Sequence, residues 1–299
     1  ERLGVPVVTT VDTVYLGNCA NGRPVWFDRA AYEADLIVPI NRVKLHTDFV
    51  GPIQSGLCKM LVIGLGNHKG CSAVHEEAPE VFADAIEETA RLILQKAPVG
   101  FGIAILENAY DKTYAVEAVP AEHLVEREKE LVQIAKGNMP YIMLDEADVI
   151  VCGAIGKDIS GAGFDPNILG RSSALKQFVL HIPRYQRLVL CDVTPASHGN
   201  GIGVGLFDVI TKKVAEQLDL ESMYANAIAC NCLGDASVPC TVDDEETAIR
   251  VALKCCRNID RDHPRIIRIQ NTLHLGEIEV SEALLDAVRA DSRMSLIEN

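Results

Sequence analysis

The chain has 299 residues, of which 48% are hydrophobic and 23% are charged. This composition is typical of a globular protein with a buried core, and the length allows two domains. The 42 acidic residues outnumber the 28 Lys and Arg residues, which argues against nucleic acid and anionic membrane surfaces as partners, because both bind clusters of Lys and Arg. The apolar runs are far shorter than the roughly 20 residues that cross a bilayer. A small anionic substrate remains compatible, since it needs only one or two cations in a cleft.

Short apolar runs bounded by Gly, Pro, Asn or Asp predict strands, and apolar residues at helical spacing predict helices. The predicted strands are, in chain order, Asp35 to Asn41, Met60 to Leu65, Gly102 to Leu106, Asp148 to Cys152, Arg187 to Cys191 and Arg265 to Ile269. The predicted helices are Pro79 to Lys96, Pro120 to Lys136, Leu206 to Leu218, Asp243 to Cys256 and Val280 to Ala290. This alternation predicts an α/β fold with largely parallel sheets.

A domain boundary is expected where the second predicted helix ends in Gly137, Asn138 and Met139, just before Pro140. The chain is therefore divided into residues 1–138 and residues 139–299, and the last helix is expected to pack back on the first domain. In parallel sheets, ligands bind where loops leave the carboxyl ends of the strands. Polar clusters that follow strands are therefore the candidate site residues.

The ten cysteines are expected to be buried thiols of a reducing compartment, because disulfide frameworks belong to small secreted domains. This indicates a cytoplasmic protein. The C-x-C spacing of Cys230 and Cys232 is a weak signal for a metal site, and the sequence has no C-x-x-C pair. The chain begins at Glu1 without a Met or an apolar leader, so it contains no targeting segment to interpret and is expected to be a processed or trimmed product.

The densest polar cluster covers residues 41–75, with three His, three Lys and five Gly around an apolar run. The backbone N–H groups of a glycine-rich turn such as Gly64-x-Gly66 can bind a phosphate, although the spacing departs from the dinucleotide pattern G-x-G-x-x-G. His46, His68 and His75 are either surface or core residues, or they are metal ligands and acid–base groups, for which imidazole is well suited. The residues alone leave both interpretations open.

Three long segments occur in order along the chain: residues 41–70 (NRVKLHTDFVGPIQSGLCKMLVIGLGNHKG), residues 156–171 (GKDISGAGFDPNILGR) and residues 192–209 (DVTPASHGNGIGVGLFDV). Together they resemble the nickel-dependent lactate racemase family and its uncharacterised hydroxy-acid racemase relatives. The resemblance spans nearly the whole chain. It implies two α/β domains with the active site between them: a cofactor-binding domain, incomplete at its start, over residues 1–138, and a substrate domain over residues 139–299. It also implies a nickel-pincer nucleotide, a pyridinium mononucleotide whose sulfur and carbon atoms hold one nickel ion.

The resemblance implies roles for residues of the first segment and the sequence that follows it. In the family, a Lys forms a thioamide to the cofactor and a His sixteen positions later ligates the nickel; Lys59 and His75 stand at that spacing. His46 occupies the place of an acid–base His. It lies further from the Lys than in the lactate enzyme, and this difference weakens the case for lactate as the substrate. Gly64, Gly66 and His68 are expected to contact the cofactor. Two alternatives stay open: Lys59 as a solvated cation, and His68 as the nickel ligand.

The implied reaction is racemisation or epimerisation of a 2-hydroxy acid. Hydride transfer avoids a carbanion: His46 takes the hydroxyl proton while a hydride leaves the carbon and later returns on its other face. Lys157 or Arg171 would bind the substrate carboxylate, unless both are solvated loop charges.

A planar intermediate calls for an acid–base group on each face. The family takes its other His from a glycine-rich loop upstream of the region present here. The chain is therefore expected to be a fragment, or His198 serves the opposite face as a third catalytic residue beside His46 and Lys59. The alternative for His198 is a hydrogen-bonded residue in a glycine-rich turn.

Two functions of other classes stay open. A nicotinamide-dependent oxidoreductase shares the hydride chemistry and the α/β fold, but the sequence lacks the dinucleotide fingerprint. A non-catalytic α/β module could bind a small anion with the same loops. On every interpretation the expected partner is a small molecule, such as the 2-hydroxy-acid substrate, rather than nucleic acid or a membrane, and a homo-oligomer remains open.

Overall fold

A computed structural model describes residues 4–297 of the chain. These residues form helices and short strands in alternation, which confirms the predicted α/β class. They divide into two compact units, Glu1–Met139 and Pro140–Asn299. Within the described part, no helix combines the length and the apolar character that a membrane span requires.

The first unit contains a two-stranded ribbon, a three-stranded sheet and the helices around them. Its strands are β1 (Thr13–Asn18), β2 (Pro24–Asp28), β3 (Ile40–Arg42), β4 (Phe101–Glu107) and β5 (Thr113–Pro120). Its helices are α1 (Arg29–Tyr32), α2 (Leu57–Lys59), α3 (Asn67–His75), α4 (Phe82–Lys96) and α5 (Leu124–Asn138). Strands β1 and β2 pair antiparallel, β3 and β4 pair in parallel, and β5 lies antiparallel to β4.

Helices α4 and α5 confirm two predicted helices, and each begins with a single 3-10 turn, at Pro79–Val81 and Ala121–His123. In α4 the buried side chains include Ile86, Ala90 and Ile93, which recur at the spacing of one helical face. In α5, Leu124 and Leu131 are fully buried. The apolar stripes of these two helices form much of the core of the first unit.

The predicted strand Met60 to Leu65 is wrong, because Met60–Gly64 form a π-helical turn between α2 and α3. The N–H of Leu65 donates to the carbonyl oxygen of Met60 at 2.9 Å, the i to i+5 bond of a π-helix. A short apolar run can be either a buried strand or a buried helical segment. Here the adjacent residues Leu61 and Val62 are both buried. Adjacent side chains of a strand point to opposite faces, so a strand would need a packing layer on each side to bury both.

The second unit is built on one six-stranded sheet. Its strands are β6 (Val149–Cys152), β7 (Arg187–Leu190), β8 (Val209–Thr211), β9 (Cys240–Val242), β10 (Ile266–Ile269) and β11 (Ile278–Val280). Its helices are α6 (Pro166–Leu169), α7 (Lys212–Gln217), α8 (Leu220–Ala229), α9 (Glu245–Lys254) and α10 (Leu285–Ala290). The strand order is β11-β10-β6-β7-β8-β9. Only β11, at one edge, runs antiparallel to its neighbour, so this sheet is largely parallel as predicted.

Both faces of this sheet are covered. Side chains of successive strand residues point to opposite faces, so Ile150 and Leu188 lie in one apolar cluster, while Val149 and Val189 lie in another. Ala252 of α9 belongs to the second cluster. Burial on two faces explains why these strands are continuous apolar runs rather than alternating patterns.

Two predicted helices of the second unit begin too early. The start of the predicted helix Leu206 to Leu218 contains β8, whose apolar residues fit either period, and α7 begins only after Thr211, whose side chain accepts a hydrogen bond from the N–H of Val214. The predicted helix Val280 to Ala290 loses its first residue to β11. Helix α8, capped by the side chain of Asp219, was not predicted.

Candidate active site

His46 lies in the loop that joins β3 to α2, and this loop is closed by its own hydrogen bonds. The backbone groups of Lys44 and Ser55 bond to each other in both directions, at 2.9 and 3.1 Å. The N–H of His46 donates to Oε1 of the buried Gln54 at 2.7 Å. The His46 ring stacks on Phe49, with ring centroids 4.3 Å apart. The ring is thus fixed by its backbone and by one of its faces.

Lys59 meets His46 from the end of α2. Its Nζ is within hydrogen-bonding distance of His46 Nε2, and Nδ1 of the same ring accepts the N–H of Asp48 at 3.1 Å. A neutral imidazole has one N–H and one lone pair, so the neutral His46 ring carries its proton on Nε2. That proton points at Lys59, and a hydrogen bond then requires the amine in its neutral form.

The electrostatic surroundings favour both neutral forms. Burial, followed by the charges of Lys59, His75 and Lys44, holds the pKa of His46 well below its usual range. Burial also lowers the pKa of Lys59, although Asp48 and Cys71 partly oppose it. A neutral amine is a nucleophile and a neutral imidazole can accept a proton, so the pair is suited to acylation and to proton transfer.

Helix α3 reaches this loop because it packs closely on β2. A side-chain carbon at Gly70 would come within 3.1 Å of the carbonyl oxygen of Trp26, so glycine allows the approach at this position. Cys71 and His75 follow on α3 at i and i+4, which places them on one face. Lys69 lies over the Trp26 ring, 4.6 Å from its centroid, and adds to the same packing.

The contacts of His75 determine which of its nitrogens is available. Nδ1 donates to the carbonyl oxygen of Cys71 at 2.7 Å, and the Cys71 Sγ lies 3.4 Å from the same nitrogen. Because a carbonyl oxygen can only accept, Nε2 carries the lone pair of the neutral ring. Hydrogen bonding to Cys71 raises the pKa of His75, while burial and the Lys59 charge lower it. A His ligand whose other nitrogen donates to a carbonyl group is the usual arrangement at metal sites.

A chain of aromatic rings connects the two histidines. Phe49, which stacks on His46, lies 4.9 Å from Phe82, and the His75 ring meets the Phe82 ring edge-on at 5.0 Å. The structure therefore brings together His46, Lys59 and His75, the three residues that the resemblance places at the centre of the chemistry. Their roles themselves remain predictions.

The other predicted cofactor contacts lie on either side of the start of α3. Gly64 ends the π-helical turn and Gly66 precedes α3, so the two glycines lie in a helical segment and not in a turn after a strand. His68 is exposed on the first turn of α3. Their contacts with a nucleotide remain predictions.

The predicted site residues of the second unit fall into two places. Lys157 and His198 lie on loops that follow β6 and β7, at the carboxyl ends of neighbouring parallel strands. The backbone N–H of Lys157 donates to Oγ of Ser197, the neighbour of His198, at 2.8 Å, and Lys157 Nζ donates to the carbonyl oxygen of Gly161 at 2.6 Å. His198 is exposed and has a positive φ of 49°.

Arg171 lies near the amino ends of the strands of the same sheet, opposite the carboxyl ends where Lys157 and His198 lie. It donates to the carbonyl oxygen of Leu206 at 2.8 Å and to Asp208 at 2.6 Å. Asp208 precedes β8 and also accepts the N–H of Leu188 near the start of β7, so this pair stands at the amino ends of the strands. The structure therefore does not bring Arg171 together with Lys157. Its role as a substrate ligand stays a prediction that these partners do not favour.

Across residues 4–297, no group of three or more His, Cys, Asp or Glu side chains is arranged to hold a metal ion. A metal at His75 would therefore take most of its donors from a cofactor. All ten cysteines are free thiols, of which Cys240 and Cys255 are exposed, contrary to the expectation of general burial.

Sequence reasoning missed two residues beside the site. Cys71 could have been found from its i, i+4 spacing to His75. Glu128, which is fully buried against the start of α2, has no signal in the sequence.

No protein-family model matches the chain, and no curated protein does so either. Among solved structures, the chain is similar to the lactate racemase apoprotein from Thermoanaerobacterium thermosaccharolyticum, with 13% identity and a TM-score of 0.46 over 87% of this chain and 67% of that chain. It is also similar to a protein from Thermotoga maritima, with 12% identity and a TM-score of 0.43 over 79% of this chain and 62% of that chain. Likeness at this level assigns no function and no residue role.

Proposed function

We propose that this chain is an isomerase that racemises or epimerises a 2-hydroxy acid with a nickel-pincer nucleotide held by Lys59 and His75. The observation that carries the proposal is the contact between the Lys59 amine and the His46 imidazole, in a cluster that also contains His75. The resemblance of residues 41–70 and of the sequence that follows them to the lactate racemase family gives these three residues complementary roles.

The residues present fit the cofactor. Burial lowers the pKa of Lys59, which favours the neutral amine that a thioamide linkage needs. His75 holds its Nδ1 proton on the Cys71 carbonyl group, which leaves Nε2 for nickel. When bound, the nucleotide would supply the carbon atom that accepts the hydride from the substrate.

His46 would handle the substrate proton. Its Nε2 faces Lys59 and, with Nδ1 accepting the N–H of Asp48, carries the ring proton. To accept the substrate hydroxyl proton at Nε2, the ring would first have to move its own proton to Nδ1 and give up the hydrogen bond from Asp48. Its lowered pKa would keep the ring unprotonated at neutral pH, and stacking on Phe49 would hold the plane of the ring. A general base positioned in this way contributes about 10²- to 10⁴-fold to the rate of such reactions.

The test is expression of the chain, together with any preceding segment, beside the enzymes that synthesise the cofactor. Metal analysis should find nickel, intact mass should show an adduct on the chain, and chiral analysis of a panel of 2-hydroxy acids should show racemisation. The adduct should vanish in Lys59→Ala and persist in Lys96→Ala, an exposed lysine at the end of α4. A wild-type chain without nickel or adduct, or an adduct that survives Lys59→Ala, would overturn the proposal.

A further inference from the structure

Glu128 is a buried carboxylate that none of the proposed chemistry uses. It lies on α5 with no exposed surface, and its Oε2 accepts the backbone N–H of Cys58 at 2.9 Å. The N–H of Leu57 acts in the same direction and lowers the pKa of Glu128, while Oε1 of the carboxylate has no hydrogen-bond partner among the described residues. Cys58 belongs to α2 and directly precedes Lys59, the third residue of that helix.

The start of α2 has no cap of its own. Its N-cap residue is Gly56, which makes no side-chain hydrogen bond to the helix, so the first N–H groups would otherwise be unpaired in the protein interior. The carbonyl oxygen of Gly56 accepts the N–H of Met60 at 3.0 Å and the side chain of Asn41 at 2.9 Å. Glu128 thus takes the part of a capping residue from a different helix.

The fit between Gly56 and Glu128 leaves no spare room. A side-chain carbon at position 56 would come within 2.6 Å of the Glu128 carboxyl carbon and 2.9 Å of its Oε2. Any side chain there would displace either the carboxylate or the helix start. The absence of a side chain at position 56 therefore lets the carboxylate reach the N–H of Cys58, directly ahead of Lys59.

Lys59 itself is anchored only lightly. Its amine contacts a neutral ring, and its charge is influenced by Asp48, Cys71 and Lys44. The direction of the side chain therefore depends on the backbone that carries it. We infer that Glu128 is a positioning residue that fixes the start of α2 and thereby holds the Lys59 amine against His46. This inference rests on the proposed function for its importance to catalysis.

The chemistry of Glu128 adds a way to observe this role. Burial raises the pKa of Glu128 to about 7, against the N–H donors that lower it. A charged carboxylate is a stronger acceptor for N–H groups than a neutral one. The hold on α2 should therefore change near neutral pH, where ordinary carboxyl groups no longer titrate.

The experiment measures the reactivity of the Lys59 amine in the unloaded protein. Trace acetylation with acetic anhydride, followed by peptide mass spectrometry, gives the ratio of labelling at Lys59 to labelling at exposed Lys96 across the neutral pH range. In wild type this ratio should show an inflection near 7. In Glu128→Gln it should lose that inflection and change by about fivefold, an effect comparable to the loss of a helix cap. Inflections that arise from His46 or Cys71 should persist in the variant.

Gly56→Ala approaches the same carboxylate from the other side and provides a second variant if Glu128→Gln does not fold. It should disturb Lys59 labelling in the same direction. Unchanged labelling ratios at all pH values in a folded Glu128→Gln protein would overturn the inference. A labelling change without any cofactor adduct in cells would keep the inference and reject the proposed function. If the adduct forms to the same extent in wild type and Glu128→Gln and the labelling is equal, the proposed function is kept and the inference about Glu128 is rejected.

Discussion

The Lys59 amine and the His46 imidazole face each other across a hydrogen bond in which only one of the two can hold the shared proton. Because the other ring nitrogen of His46 is taken by the N–H of Asp48, protonation of either residue disfavours protonation of the other. The two pKa values are therefore linked by geometry as well as by burial.

Replacement of Lys59 with Met should raise the pKa of His46 towards its usual range, because it removes the nearest amine, whose protonated form opposes protonation of the ring, while keeping most of the side-chain volume. Burial, the largest cause of the lowered pKa, should remain, so the recovery should be partial. Lys44→Met is the matched control, since Lys44 acts on His46 more weakly than Lys59 does. NMR titration of the His46 ring should show a larger rise in its pKa in Lys59→Met than in Lys44→Met. An equal rise in both variants, or a wild-type His46 that titrates normally, would contradict the proposed contact.

The buried carboxylate of Glu128 should make the protein less stable as the pH rises towards neutrality. Its pKa is raised in the folded state from 4.5 to about 7, so the folded protein binds more protons than the unfolded chain in this interval. Stability is then fully present below the unfolded pKa and is lost as the pH rises through the folded one. The shift corresponds to about 3 kcal/mol.

Urea unfolding at several pH values checks this sign. The free energy of unfolding of wild type, minus that of Glu128→Gln, should fall as the pH rises from the unfolded to the folded pKa of Glu128. His46 contributes a slope of the opposite sign, since its pKa is lowered, but that slope is present in both proteins and cancels. A flat difference would mean that Glu128 titrates normally.

Arg23 ties the β1–β2 ribbon to α4 and to the segment after α3. Its side chain is 4% exposed and pairs with Glu77 and Glu88, and it donates to the carbonyl oxygen of Ala85 at 3.2 Å. Arg23→Lys keeps the charge but not the fork that reaches several acceptors. We expect a loss of about 3 kcal/mol in the free energy of unfolding, measured with urea.

Arg29→Lys is the control for Arg23. Arg29 is half exposed and pairs at 3.6 Å with Glu33, the residue that follows α1, so its replacement should change stability by less than about 0.5 kcal/mol. If the two substitutions destabilise the protein equally, the buried network contributes no more than an ordinary surface pair.

Nickel content should distinguish His75 from His68 as the ligand. Under the proposed function, His75→Asn should reduce nickel per chain to about a tenth of the wild-type value or less, because even residues that only support a metal ligand change affinity by about 10- to 100-fold. His68→Asn, on the exposed first turn of α3, should leave most of the nickel bound. Metal analysis of the purified proteins checks this, and the opposite order would transfer the ligand role to His68.

The grouping of His46, Lys59 and His75 could be predicted because it follows from a local motif, in which one loop and one helical segment are joined by few residues. The backbone conformation of the segment that joins Lys59 to α3 could not be predicted. The run MLVIG has the length and composition of a buried strand, and only the contacts of Leu61 and Val62 with the core select a helical backbone.

Glu128 was beyond prediction for a different reason. It stands between Arg127 and Lys129 in a charged stretch that is typical of a solvated helix face. Its burial depends on a helix start about seventy residues earlier that lacks a side chain at Gly56. A pairing of this kind is a property of the tertiary structure and leaves no periodic signal in either segment.

The π-helical turn Met60–Gly64 fixes the angular relation between Lys59 and the helix that carries His75. A π turn holds one residue more than the α-helix it interrupts, and one residue corresponds to about 100° of rotation around a helix axis. Loss of a single residue here would restore regular winding and turn the whole of α3 by that amount. His75 and Cys71 would then point away from the amine, although every side chain of the site would still be present. The length of this turn is thus as much a part of the site as the groups it separates.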